Sequence, residues 1–165
     1  MQPRKTYGFI LAGTILWCGA ILLAPSLAAW ESAPRLVPSI LYRFFAPICH
    51  QIDGRSFHVF GFPLAVCSRC SSIYMAFLAG TLLYPFIYDL QRPGMPPRTL
   101  LLIVLIPMLF DVGAGILGVH EASLLSRTVT GALFGFLLPL YIIPGAVEGA
   151  GQLFSSHFQK GTSDA

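Results

Sequence analysis

The chain has little charge: Asp, Glu, Lys and Arg together make up 10% of its 165 residues. Soluble domains carry about a quarter of their residues as charged side chains, so this share argues against a water-soluble globular protein. The GxGxxG, P-loop, GxSxG and HExxH patterns are absent as well, so nucleotide binding and the common hydrolase chemistries have no support. The net charge of +3 is small and spread out, which predicts no nucleic-acid partner.

Hydrophobic residues make up 55% of the chain and fall into long runs. Such runs predict membrane-spanning helices, because about 20 apolar residues cross the hydrocarbon core of a bilayer. We therefore expect an all-α integral membrane protein of the cell membrane, a four-transmembrane-helix bundle that forms a single domain over residues 1–165. The predicted spans are residues 7–29, 71–90, 99–119 and 128–147.

The first span raises two further questions, its retention and its orientation. Residues 1–29 also resemble a cleavable signal peptide, although the length of the apolar run and Trp17 favour a retained helix. Arg4 and Lys5 precede the run, and the first helix usually dominates orientation, so both termini are predicted to be cytoplasmic. Cys18, inside this span, is predicted to be a core residue rather than part of a site.

The connection between the first two predicted spans is long and unlike the rest of the chain. Residues 31–48 contain too many prolines to span a membrane, and they predict an interfacial helix over residues 38–46. The next segment, residues 49–70, contains three of the four cysteines and two of the four histidines. Glycine and proline within it predict tight turns, with a short hairpin over residues 57–66.

A C-x-x-C motif at residues 67–70 begins the second span. Two thiols at this spacing can chelate one metal ion or form one disulfide, and a helix N-terminus favours the thiolate. An adjacent cysteine and histidine at the start of the segment complete a plausible tetrahedral zinc set. A structural disulfide or inert thiols are the competing interpretation. The predicted metal ligands are Cys49, His50, Cys67 and Cys70, with His58 as the alternative nitrogen donor.

An acid inside the third predicted span marks a second polar feature. Asp111 would be costly there unless it is paired, which makes it a functional candidate. An even number of spans puts residues 49–70 and the connection at 120–127 on one face, so an arginine from that face is the expected partner. If the protein is an enzyme, the candidate catalytic residues are Asp111, Arg69 and Arg127. The other predicted pocket residues are Gln51, Arg55, Ser56, His120 and Glu121.

The polar residues of this region also form a multi-part pattern with glycine and proline. It resembles the signature of a family of small bacterial and archaeal membrane proteins catalogued only as domain of unknown function 2085. The likeness covers roughly residues 44–138 and implies an integral membrane protein whose polar residues serve a shared site. It implies no established activity. The matching residues are Cys49, His50, Gln51, Arg55, Ser56, Phe57, Gly61, Pro63, Cys67, Arg69, Cys70, Asp111, Arg127, Thr130, Gly131 and Gly135.

Three functions are compatible with these features. The first is a metal-binding membrane protein, in which zinc pins a loop or activates water beside an intramembrane Asp/Arg pocket. The first alternative is a membrane thiol-disulfide oxidoreductase coupled to a quinone. It rests only on analogy with the architecture of four-helix membrane proteins in which a C-x-x-C motif begins a helix. The second alternative is a small transporter or assembly factor. The lipid bilayer is the expected partner, and the features are compatible with a homo-oligomer. The sequence identifies no substrate.

Overall fold

The computed structural model of the chain describes residues 3–30, 34–91, 94–118 and 122–150. Four of its helices are long and apolar enough to cross a membrane, which confirms the predicted all-α membrane bundle. A helix of 19 residues, the shortest of the four, is roughly 28 Å long and so matches the hydrocarbon core. The helices are α1 (Pro3–Ala29), α2 (Leu36–Phe45), α3 (Ser68–Ile87), α4 (Arg98–Ile116) and α5 (Leu124–Leu137).

The last spanning segment is interrupted once. After α5 the helical pattern breaks at Leu138 and resumes over residues 139–150, so that the whole apolar segment is Leu124–Ala150. Pro139 follows the break immediately. A proline has no amide hydrogen and clashes with the preceding turn, which explains why the helix is interrupted there.

Glycines bring α3 and α5 into backbone contact. A Cβ atom at Gly131 would lie 2.8 Å from the backbone oxygen of Arg69, and one at Gly135 would overlap the backbone of Ile73. On the opposite helix, a Cβ at Gly80 would lie 2.5 Å from the backbone oxygen of Phe136. Small residues four apart allow this approach in membrane helices. The close pairing fixes the start of α3, where the C-x-x-C motif lies, against α5.

The helix α1 packs against α2 and α3 through aromatic and aliphatic side chains. The Trp17 ring makes edge-to-face contacts with Phe45 and Tyr74, at centroid distances of 5.1 and 5.6 Å. Beneath the loop, a buried cluster joins α1 and α2 to the segment before α3, so the loop is anchored to the bundle. The cluster consists of Ile21, Ala24, Phe45, Cys49, Leu64, Ala65 and Val66.

Between α2 and α3 the chain forms a small folded loop. The helix α2 has ten residues, too few to span a bilayer, and is followed by a 3-10 turn at Asp53–Arg55. The strands β1 (His58–Val59) and β2 (Phe62–Pro63) pair antiparallel, as the predicted hairpin requires. Phe60 and Gly61 join them with φ angles of 53° and 82°, the left-handed values of a tight hairpin turn.

Candidate metal site and polar cavity

Three cysteine sulfurs converge at one end of the bundle. The Sγ atoms of Cys49, Cys67 and Cys70 all lie within 4.8 Å of one another. Cys49 follows α2 and is 6% exposed, and Cys67 is the residue immediately before α3. Cys70 lies in the first turn of α3, so the C-x-x-C spacing directs both of its thiols toward Cys49. These three cysteines are positioned to hold a metal ion.

The surroundings of Cys67 favour its thiolate. The backbone N–H of Cys67 donates a hydrogen bond to the Cys49 sulfur over 3.1 Å. The pKa of Cys67 is lowered to about 5, chiefly because the Cys70 thiol donates a hydrogen bond to it. Burial acts in the opposite direction, and the Cys70 amide and the Cys49 thiol add smaller lowering contributions. Since thiolate is the form that binds metal ions, Cys67 is prepared to act as a ligand.

Gln51 fixes the path of the loop that carries Cys49. Its side-chain amide donates hydrogen bonds to the backbone oxygens of Tyr42 and Ala65, both over 2.7 Å. The backbone of Gln51 has a φ of 50°, a left-handed value that residues other than glycine rarely adopt. The Tyr42 hydroxyl donates to the Pro63 oxygen over 2.6 Å, which ties α2 to the hairpin. Gln51 therefore supports the cluster from outside it.

The two histidines of the loop lie in different places. His50 is exposed and lines a cavity beside the cysteines. His58 lies on the exposed hairpin, where its Nε2 is 3.0 Å from the Asp53 carboxylate. Within the described part of the chain, the ligand atoms that converge belong to the three cysteines and to neither histidine. The predicted alternative donor is thus engaged elsewhere, whereas His50 stays beside the site.

The cavity beside the cysteines is small, and the charged residues of its lining are arginines. Its volume is about 280 Å³, and no carboxylate is found among the described residues that line it. Three arginines from three different parts of the chain reach it. Ile48 and Ile52 form an apolar part of the lining and are 47% and 45% exposed. The lining residues are Ile48, Cys49, His50, Ile52, Arg55, Cys67, Arg69, Cys70 and Arg127.

Asp111 pairs with Arg69, the arginine inside the C-x-x-C motif. The Arg69 guanidinium donates to one carboxylate oxygen, and the Ser126 hydroxyl donates to the other. The side chains of Arg69 and Asp111 are 17% and 7% exposed. The Nε atom of Arg69 is buried and has no acceptor among the described residues. The network joins α3, α4 and α5 directly behind the cysteines.

The other predicted pocket residues have varied surroundings. The Nε of Arg127 donates to the Ala122 backbone oxygen over 2.9 Å, and Arg127 lines the cavity together with Arg55. Ser56 is 4% exposed and its hydroxyl donates to the Ile52 oxygen, a local contact within the loop. His120 and Glu121 lie outside the residues that the structure describes.

Sequence reasoning missed Ser126 and the two isoleucines of the cavity. Ser126 adjoins Arg127 in the first turn of α5, and this adjacency was the available signal. Conversely, Cys18 is 2% exposed within α1, where its thiol contacts the Tyr74 backbone oxygen at 3.4 Å. It takes no part in the cysteine cluster.

The fold and the site together define a four-helix integral membrane protein with a tri-cysteine site at one end of the bundle. The model of the family described as "Predicted membrane protein (DUF2085)" matches residues 49–141, more than half of the chain. The chain therefore belongs to that family, and the resemblance found in its polar pattern is confirmed.

A relative in an archaeon extends the likeness beyond the family model. "Uncharacterized protein MJ1492" of Methanocaldococcus jannaschii is 35% identical over 144 residues. The alignment covers 86% of this chain and 92% of the relative, so the two proteins correspond over nearly their whole lengths. No solved structure gives a significant match to the chain.

Proposed function

We propose that the protein is a membrane zinc-binding protein in which Cys49, Cys67 and Cys70 hold the ion. The single observation that carries the proposal is the convergence of the three sulfurs within 4.8 Å. Zinc is favoured over harder cations because it binds thiolate well and accepts a tetrahedral set of sulfur and nitrogen ligands. The N–H to sulfur contact from Cys67 to Cys49 would orient one ligand from outside the coordination sphere.

The fourth ligand determines what kind of site this is. Three cysteines leave one position for the imidazole of His50 or for a water molecule from the cavity. With His50 the site is closed and stabilises the fold, whereas with water it has the open position of a catalytic site. When bound, zinc would polarise that water and lower its pKa. His50→Ala distinguishes the two, because only a histidine ligand makes the affinity for zinc depend on this residue.

Metal analysis of the purified protein tests the proposal. Protein prepared without added chelator is expected to contain about one zinc per chain, and Cys67→Ser, Cys70→Ser and Cys49→Ser should each lose most of it. Cys18→Ser is the matched control, since Cys18 is a buried cysteine of the same chain that takes no part in the cluster. Cobalt exchanged into the site should show thiolate-to-metal charge transfer. A folded wild-type protein without stoichiometric metal would contradict the proposal.

A second candidate function has a specific observation in its favour. Cys67 and Cys70 are both partly exposed and line the cavity, so a second thiol or an oxidant can approach them. In this function the two thiols lose two electrons and two protons to a membrane quinone, which becomes the quinol, and a disulfide forms. Alkylation of cellular protein before and after reduction tests it. Thiols that never change redox state would exclude this candidate.

We also infer that both termini lie in the cytoplasm. The support is the pair of basic residues Arg4 and Lys5 at the start of α1, together with the four spanning helices found in the described part of the chain. The tri-cysteine site would then face away from the cytoplasm. A periplasmic-type phosphatase fused to the C-terminus is expected to be inactive, and an active fusion would reverse the orientation.

A further inference from the structure

We propose that the cavity beside the tri-cysteine site binds the phosphate group of a small solute or of a lipid headgroup. The inference rests on the proposed function, because the zinc-binding cysteines form one wall of the cavity. The observation behind it is the cationic lining: Arg55, Arg69 and Arg127 reach a volume of about 280 Å³. Such concentration of positive charge is unusual in a chain with so few charged residues.

The charges around the cavity do not cancel one another. Asp111 neutralises one arginine, Arg69, through the ion pair behind the cysteines. Counting zinc, three thiolates, Asp111 and the three arginines, the positive charges exceed the negative ones by one unit. With the thiols protonated and no metal, the excess is larger. In either state Arg55 and Arg127 have no carboxylate beside them among the described lining residues, so an anion would be attracted.

The geometry of arginine favours phosphate as that anion. A guanidinium presents its donors as a planar fork that matches the oxygens of phosphate, and such charge-assisted bonds are the strong ones. Arg127 uses its Nε on the Ala122 oxygen, and among the described residues its terminal nitrogens have no hydrogen-bond partner, so they can serve a ligand. Arg69 adds a buried Nε donor without an acceptor in the described structure. Several hydrogen-bond donors from separate segments suit an anion with several oxygen acceptors better than an anion with a single acceptor atom.

The size and the apolar part of the lining indicate how such a ligand would sit. Ligand pockets for whole small molecules start at about 300 Å³, so this cavity accommodates a headgroup rather than a large solute. Ile48 and Ile52, each nearly half exposed, would lie against the part of the ligand next to the phosphate. A phosphomonoester with an apolar substituent and the headgroup of phosphatidic acid share this chemistry.

Binding measurements on the zinc-loaded protein in nanodiscs of phosphatidylcholine test the proposal. One arm titrates inorganic phosphate and a soluble phosphomonoester, and the other replaces part of the lipid by phosphatidic acid. Binding is followed by phosphorus NMR. We expect saturable binding in at least one arm, weakened about tenfold by Arg127→Gln and by Arg55→Gln. Arg43→Gln is the control, because Arg43 is exposed on α2 and is not among the lining residues.

The outcomes separate this proposal from the zinc function. Zinc content and helical circular dichroism are measured on every variant, so that loss of folding or of metal is recognised. Arg127→Lys keeps the positive charge but loses the planar set of guanidinium donors. This variant should bind phosphate more weakly than wild type and retain zinc. Zinc-loaded protein that binds phosphate in neither arm, or equally well in all arginine variants, would overturn the anion site. Folded wild-type protein that takes up no stoichiometric zinc but still binds phosphate would overturn only the zinc function.

Discussion

Breaking the ion pair between Arg69 and Asp111 should destabilise the bundle strongly. Asp111→Asn keeps the shape of the side chain and an acceptor for Ser126, but it removes the negative charge. Arg69 would then be a largely buried cation with no carboxylate partner in the described structure. Arg69→Met removes the cation instead and leaves Asp111 unpaired. The double variant removes both charges, so its cost should be smaller than the sum of the single variants.

The burial of the pair sets the expected magnitude. With 17% and 7% of the two side chains exposed, the pair belongs with buried ion pairs rather than with surface ones. Removing one partner of a buried pair costs about 3–5 kcal/mol, whereas exposed pairs contribute about 0–1 kcal/mol. We therefore expect each single variant to lose about 3 kcal/mol or more, with a coupling energy of about 1–3 kcal/mol in the double-mutant cycle.

The assay is reversible unfolding in mixed micelles, with Arg43→Met as the control for loss of an exposed arginine. Metal content is measured in parallel, because Arg69 lies between two of the cysteines and its loss can disturb them. Single variants that cost less than about 1 kcal/mol, like the control, would refute the argument from burial. Additive costs in the double variant would refute a direct interaction between the two side chains.

Three further predictions concern packing, the loop and the fourth ligand. Gly135→Ala should separate α3 from α5 and destabilise the protein by about 1–3 kcal/mol in thermal unfolding, because the new Cβ would overlap the Ile73 backbone. Gly113→Ala is the control and should be neutral, since there is open space around Gly113. Gln51→Gly keeps the left-handed backbone but removes two hydrogen bonds, so we expect about 1–3 kcal/mol of lost stability and weaker zinc binding in a competition titration with a chelator. His58→Ala should leave zinc content unchanged by elemental analysis, and loss of metal would show that the histidine moves to the site.

Part of the site was predictable because it depends on local spacing. The C-x-x-C motif at the start of a helix brings Cys67 and Cys70 together whatever the rest of the chain does. The spacing of Gly131 and Gly135, four residues apart, is likewise visible in the sequence, and the absence of side chains at these positions is enough to permit close packing. The role of Gln51 was less visible. Its contacts depend on a left-handed backbone and on two carbonyls contributed by separate segments.

The sequence by itself determined that this is a four-helix membrane protein, because the length and apolarity of each run decide whether a segment can span a bilayer. It also determined which side chains are costly in that environment and so need partners. Only the tertiary structure decided how they pair. Arg55, Arg69 and Arg127 are chemically equivalent as candidates for Asp111. The packing of α3 and α4 against α5 brings Arg69 to Asp111, whereas Arg55 and Arg127 line the cavity without this ion pair. Distances between residues far apart in the chain arise from helix packing, which local patterns do not encode.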